Sequence, residues 1–158
     1  MNRVLAHTGA KYPIVQAPMG WIARSQLASA VCKAGGLGII TGLTQTTPEA
    51  LAKEIAKCND MTDKPFGVNL TFLPGFANPP YPEYIQAIIE GGVKIVETAG
   101  RSPEAYMPPM KEAGIKVIHK CTSVRHSLKA ERIGCDAISV DGFELGGHSG
   151  QDENPNMI

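Results

Sequence analysis

Three observations predict a parallel α/β fold that closes as a barrel. Six short β-rich runs alternate with helical segments along 158 residues, the pattern in which crossover helices join parallel strands. No Gly-x-Gly-x-x-Gly follows the first run, which weighs against a dinucleotide site on a doubly wound sheet. Groups able to do chemistry stand at several successive strand ends, namely Met19, Asn69, Glu97, Lys120 and His148. Spacing alone fits a doubly wound sheet equally well. Chemistry spread around the strand C-termini is what a (β/α)8 barrel of the TIM type provides, and it decides for the barrel.

The first run is Tyr12-Pro13-Ile14-Val15-Gln16-Ala17-Pro18-Met19, and a helix over 25–34 follows. Ser25 is its expected N-cap and Gly35 stands just past its end. Leu37-Gly38-Ile39-Ile40-Thr41 is the second strand. The next helix is the best marked, with Thr47 as N-cap, Pro48 at the first helical position and Glu49 at the positive end of the dipole. Its Leu51, Ile55 and Cys58 recur at i, i+4 and i+7, one buried stripe. Phe66 to Thr71 reads as the third strand, followed by a Pro- and Gly-rich loop, Leu73 to Pro82, long enough to wall a site.

A helix over 83–90 leads to the fourth strand, 93–98. Ser102-Pro103-Glu104 opens another helix, which Pro108-Pro109 is expected to break or restart. Ile115 to Lys120 is the fifth strand, 123–133 a helix, and Cys135-Asp136-Ala137-Ile138-Ser139-Val140 the sixth strand.

Composition narrows the classes. Fifteen basic and fifteen acidic residues balance, so no electrostatic footprint for nucleic acid or an anionic membrane exists. No run approaches the ~20 apolar residues of a membrane span, and the N-terminus lacks the apolar stretch of a signal peptide. The chain reads as cytoplasmic. Cys32, Cys58, Cys121 and Cys135 are scattered with no Cys-x-x-Cys pair and read as reduced core thiols. His119 and Cys121 would share one strand face, but His126 belongs to the following helix and no fourth ligand offers itself, so no metal site is expected.

The most informative stretch follows the sixth strand: Asp141-Gly142-Phe143-Glu144-Leu145-Gly146-Gly147-His148-Ser149-Gly150. Gly146 and Gly147 free the backbone to approach a ligand closely. They deliver the titratable His148 ring just past a strand end. A Gly-rich turn with an incidental exposed histidine is the plainer alternative.

These residues resemble a known family. Pro13-Ile14-Val15-Gln16-Ala17-Pro18-Met19, Gly67-Val68-Asn69-Leu70, His119-Lys120-Cys121 and Val140 to His148 are similar, nearly end to end, to the FMN-dependent nitronate monooxygenases. A close relative is the flavin-dependent enoyl-acyl-carrier-protein reductase. The resemblance implies an FMN cofactor lying along the Ala17-Pro18-Met19-Gly20 turn. It implies Asn69 as a hydrogen-bonding partner of the flavin or its ribityl chain, because an amide supplies both donor and acceptor. Lys120 would bring positive charge that favours the anionic reduced flavin.

Asp141, Gly146 and Gly147 complete the implied cofactor contacts; for Asp141 and Glu144 a solvated carboxylate is an equal alternative. His148 is the implied catalytic residue at the substrate's reactive centre, acting as general base when a neutral nitroalkane is offered. The implied reaction takes an alkyl nitronate and O2.

A complete barrel of this type takes ~250 residues, with its phosphate site in the loops after strands seven and eight. Residues 1–158 are therefore expected to be the N-terminal part of a single FMN-binding barrel domain, inactive alone. Six strands alone leave edges and an apolar inner face open. Truncation is the favoured explanation; a partner, or self-association into a homo-oligomer, would cover the same surfaces. The competing functions are FMN-dependent enoyl-acyl-carrier-protein reduction and a catalytically inactive barrel fragment.

Overall fold

A computed structural model describes residues 2–72, 79–142 and 145–146. Its centre is a parallel sheet of β1 (Ile39–Thr41), β2 (Gly67–Phe72), β3 (Ile95–Gly100), β4 (Lys116–Cys121) and β5 (Ala137–Val140). The strands pair in the order β1-β2-β3-β4-β5, each joining beside its predecessor. A doubly wound sheet changes direction at a switch point. This one never does, and a parallel sheet that grows one way, with crossovers of one hand, curls toward closure. The order of strands thus settles what spacing left open, in favour of the barrel.

The first expected strand, 12–19, is reduced to a single parallel bridge between Val15 and Leu37. Pro13 and Pro18 have no N–H to give a ladder, and the chain leaves the sheet after Gln16, whose N–H donates to the Leu37 carbonyl at 2.9 Å. Among the described residues the six expected strands are therefore five and a bridge.

Helix α1 (Arg3–Thr8) precedes the sheet and was not legible in the sequence. The Asn2 side chain accepts the Val4 N–H at 2.9 Å, and Gly9 ends the helix in the left-handed region at φ 66°. Six residues are too few for a hydrophobic period to show.

Helix α2 (Ser25–Ala34) differs at its start from the expectation. Ser25 is the first helical residue rather than the cap, and Arg24 in the cap position makes no side-chain capping bond. The Ser25 N–H donates instead to Glu54 Oε1 at 2.7 Å, from the next helix. Burial opposes charge on Glu54, but hydrogen bonding from Ser25 together with the nearby Lys57 and Arg24 charges outweighs it and holds the carboxyl below its ordinary range.

Helix α3 (Pro48–Met61) begins as expected, with Thr47 Oγ1 accepting the Ala50 N–H at 3.1 Å and Leu51, Ile55 and Cys58 buried. Helix α4 (Tyr81–Glu90) starts two residues before the expected 83, with Tyr81 and Tyr84 buried. Of the loop expected over 73–82, residues 73–78 lie outside the described residues.

Pro108 and Pro109 restart the helical segment, one of the two outcomes expected of them. They sit in the first turn of α5 (Met107–Glu112), after a 3-10 turn over Glu104–Tyr106. A proline there loses nothing, because first-turn N–H groups have no intrahelical partner. Helix α6 (Val124–Arg132) is capped by Ser123, whose hydroxyl accepts the His126 N–H at 3.3 Å.

Two layers of side chains hold this together, set by the two-residue period of the strands. On the helix side, Val68, Leu70, Phe72, Val96 and Val117 pack against residues such as Leu51, Ile55, Ile88 and Met110. On the inner side, Leu37, Ile39 and Ile95 form a smaller cluster with Ala10 and Ile118. Each fully buried Leu or Ile contributes about 1.5–3 kcal/mol. Three of the four cysteines are buried and all four are free thiols. Burial pushes the Cys58 thiol up to about 12 and Cys135 to about 11, so both are inert near neutrality. No helix among the described residues is long and apolar enough to cross a membrane.

Gly38 is where α2 meets the sheet. A Cβ there would stand 2.2 Å from the Ala28 carbonyl oxygen and 2.6 Å from its Cα. Gly38→Ala should cost at least about 1–3 kcal/mol by overpacking, and Ile55→Ala about 2–5 kcal/mol by leaving a cavity. Urea denaturation should show both as lower midpoints at unchanged slope.

Candidate functional site

The inner face of the sheet turns polar toward the strand C-termini. Register places Asn69 beside Glu97 and Glu97 beside Ile118, with Lys120 beside Ser139 one step on. Each polar residue follows a smaller or apolar one by two positions: Gly67 then Asn69, Ile95 then Glu97, Ile118 then Lys120. The period that buries Ile39 and Ile95 below therefore lifts an amide, a carboxyl and an ammonium above them. Asp141 prolongs the β5 ladder, its N–H donating to the Cys121 carbonyl at 2.9 Å.

The row is internally bonded. Asn69 Nδ2 donates to Glu97 Oε2 at 2.7 Å, and Thr71 Oγ1 donates to Asn69 Oδ1 at 3.1 Å. Lys120 Nζ stands 3.3 Å from Asp141 Oδ2. Asn69, Glu97 and Asp141 are only 2%, 5% and 8% exposed. Burial pushes the Glu97 carboxyl above its ordinary range. Lys120 and the Asn69 hydrogen bond pull it back, and the Asp141 charge adds to the rise. Two carboxyls thus share one ammonium, and the cheaper way to lower the surplus negative charge is to protonate Glu97.

The Ala17–Gly20 turn rises beside this row. Thr41 Oγ1 donates to the Met19 carbonyl at 3.1 Å, and the Ile22 and Ala23 N–H groups donate to the same oxygen. Ala17, Met19 and Gly20 are exposed, Pro18 half-buried. Trp21 is the described non-glycine residue with positive φ, at 66°. Its N–H donates to Thr44 Oγ1 at 3.1 Å and the residue is 71% exposed. Strain of this kind concentrates at working sites. At the end of β1 the buried Gln45 Nε2 has no hydrogen-bond partner among the described residues.

Of the expected site residues, the structure brings Asn69, Lys120 and Asp141 to one row and sets the 17–20 turn beside β1. Asp141 is a buried, paired carboxylate rather than a solvated one. Gly146 is exposed, with open space where a Cβ would lie. Glu144, Gly147 and His148 lie outside the described residues. His119 turns to the helix side, its Nδ1 2.8 Å from Thr98 Oγ1, and burial holds its pKa below the ordinary value. Glu97 was noted as a strand-end group but given no part. Its signal is a carboxyl directly after the apolar pair Ile95-Val96, near the end of the expected strand.

A one-directional parallel sheet with a polar row converging at its C-terminal rim defines a (β/α)-barrel enzyme scaffold. A profile of the nitronate monooxygenase family matches residues 2–157. The chain is 39% identical over 142 residues to the (3aS,4S,5R,7aS)-5-hydroxy-7a-methyl-1-oxo-octahydro-1H-indene-4-carboxyl-CoA dehydrogenase of Mycobacterium tuberculosis, covering 90% of this chain and 39% of that one. It is 31% identical over 177 residues to the nitronate monooxygenase of Paraburkholderia phytofirmans, covering 90% and 48%.

FabK from Thermotoga maritima superposes with a TM-score of 0.86 at 36% identity, over 96% of this chain and 47% of that one. Nitroalkane oxidase from Streptomyces ansochromogenes shares the fold, with a TM-score of 0.81 at 24% identity over 94% and 51%. The chain belongs to the nitronate monooxygenase family, a family of oxidoreductases. It spans about half the length, or less, of these relatives.

Glu97 makes stability depend on pH. A carboxyl whose folded pKa lies above the unfolded value of 4.5 contributes stability fully present below pH 4.5. That stability is lost as pH rises through the folded value. Glu97→Gln should flatten this decline, so that the stability difference between pH 5 and pH 8, read by chemical denaturation, is smaller in the variant.

Proposed function

We propose that residues 1–158 form the N-terminal part of a single FMN-binding (β/α) barrel domain. In this reading the protein is a cytoplasmic FMN-dependent oxidoreductase that oxidises alkyl nitronates with O2. The observation that carries it is the row of buried Asn69, Glu97 and Asp141 with the half-buried Lys120 at the C-terminal rim, within a chain matched by the family profile from residue 2 to 157.

The residues fit the flavin ring, which needs apolar contact on its faces and hydrogen-bonding groups along its edge. The N–H groups of Ala17, Met19 and Gly20 make no hydrogen bond among the described residues, and Met19 offers a soft, polarisable side chain. Ala17, Pro18, Met19 and Gly20 would line the ring, Asn69 would bond its polar edge or the ribityl chain, and Gly146 and Gly147 would let backbone come close. Bound FMN supplies the electron-transfer and oxygen chemistry.

Lys120 supplies positive charge where negative charge accumulates on reduction, and Asp141 fixes that ammonium in place. Burial disfavours a charged Glu97 beside Asp141, and its bond to Asn69 orients the amide. His148 serves the substrate. A nitronate is already an anion with an electron-rich carbon and asks for no proton removal, whereas a neutral nitroalkane must lose its α-proton to the imidazole.

A second reading is favoured by a specific observation. The alignment to the CoA-ester dehydrogenase accounts for 90% of this chain in 142 positions, essentially without gaps. The alignment to the nitronate monooxygenase needs 177 positions for the same share, so that relative carries a segment this chain lacks. Oxidoreduction of an acyl thioester, including enoyl-thioester reduction with a nicotinamide donor, is the alternative.

The test is to add FMN, pass the protein through gel filtration, and mix the flavin-bound peak anaerobically with a nitronate or with NADH. In the longer chain that completes the barrel, bleaching by the nitronate alone is the expected result. Bleaching by NADH alone would move the protein to the thioester reading, and free flavin eluting apart from protein would leave a catalytically inactive fragment. His148→Ala should lower kcat/KM for a neutral nitroalkane by roughly 100- to 10,000-fold while leaving the pre-formed nitronate far less affected.

A further inference from the structure

The sheet begins with an irregular rung, built by a side chain instead of a backbone. The Leu37 N–H donates to the Ile14 carbonyl at 2.8 Å, and the Gln16 N–H donates to the Leu37 carbonyl at 2.9 Å. A parallel ladder continued one rung further would have the Ile39 N–H donate to the Gln16 carbonyl, and the N–H of residue 18 donate to the Ile39 carbonyl. Residue 18 is proline and has no N–H. The Gln16 carboxamide fills both places: Oε1 accepts the Ile39 N–H at 3.1 Å, and Nε2 donates toward the Ile39 carbonyl at 3.3 Å. The same Nε2 also donates to the carbonyl of Ala17.

The consequence falls on the turn. Ile39 is satisfied without the backbone of residues 16–18, so the main chain leaves the sheet two residues early. The N–H groups of Ala17, Met19 and Gly20 then make no hydrogen bond among the described residues. Held by Gln16 at the Ala17 carbonyl and by Thr41 at the Met19 carbonyl, the turn is fixed while those three donors stay unpaired among the described residues.

We propose that Gln16 is a positioning residue: its carboxamide replaces a rung of the ladder, and so sets the 17–20 backbone at the pose from which it meets the flavin. This rests on the flavin reading above. Gln16 acts through the turn and through Ile39, and touches no reacting atom itself.

Gln16→Met keeps the length and apolar stem but removes both hydrogen bonds; Gln16→Glu keeps the acceptor and removes the donor. In the protein without added flavin, the Ile39 amide of Gln16→Met should exchange with solvent roughly five- to tenfold faster relative to amides of β2. Gln16→Glu should retain most of that protection. With FMN bound, both variants should shift the visible absorption bands and the midpoint potential of the flavin, and lower kcat more than they raise KM.

Unchanged Ile39 protection in Gln16→Met would overturn the substituted rung. Faster exchange with an unaltered flavin spectrum and potential would make Gln16 a structural residue only and sink the proposal. Failure of the unsubstituted protein to bind FMN would overturn the flavin reading and this proposal with it, and is told apart because it appears before any substitution is made.

Discussion

One-directional parallel pairing is the constraint from which the rest follows. Once each strand must lie beside its predecessor and point the same way, every strand C-terminus comes to a single rim, and every crossover helix to a single side. The two-residue period then gives each strand one face for the helices and one for the interior. The apolar face of β2, β3 and β4 carries Val68, Leu70, Val96 and Val117. The inner face carries the apolar Ile39 and Ile95 low and the polar residues high. Position along the strand therefore decides whether an inward residue works for stability or for chemistry.

The polar row is costly to the fold and is held by reciprocal satisfaction. Removing a carboxyl, an amide and an ammonium from water is unfavourable unless each finds a partner. Here the partners are one another: Asn69 with Glu97, and Lys120 with Asp141. The arrangement resists piecemeal change, since deleting one member strands another in a poorly solvated place. Trp21 shows the same trade on the backbone, with an L-residue in the left-handed region beside the row. Such local unfavourable terms persist only where the surrounding structure over-determines them.

Much of this was legible in the residues. The helix starts at Thr47-Pro48 and at Ser123 were legible because caps are local chemistry. The strands β2 to β5 were legible because each is a short run rich in apolar and β-branched residues between helical segments. What escaped was decided across the fold. Ser25 looks like a cap, yet its amide is satisfied from another helix. Residues 12–19 look like a strand, but two prolines and a side-chain rung cut it to one bridge. Pro108-Pro109 left break and restart open, and the 3-10 turn before them decides for a restart. Asn69 and Lys120 could be picked out as polar residues at strand ends. That Glu97 joins them needed the register, which a single sequence does not print.

The contact between Ser25 and Glu54 reaches beyond capping. A helix whose first amide is satisfied by a residue 29 positions downstream has no complete N-terminus until that later segment has formed. The contact ties the start of α2 to α3, so local opening of α3 returns the first amide of α2 to solvent. Gly38 rests directly on the backbone of Ala28, so the entry to β1 is fixed against the middle of α2. A segment that looks local in the sequence thus depends, at both its ends, on contacts made across the fold.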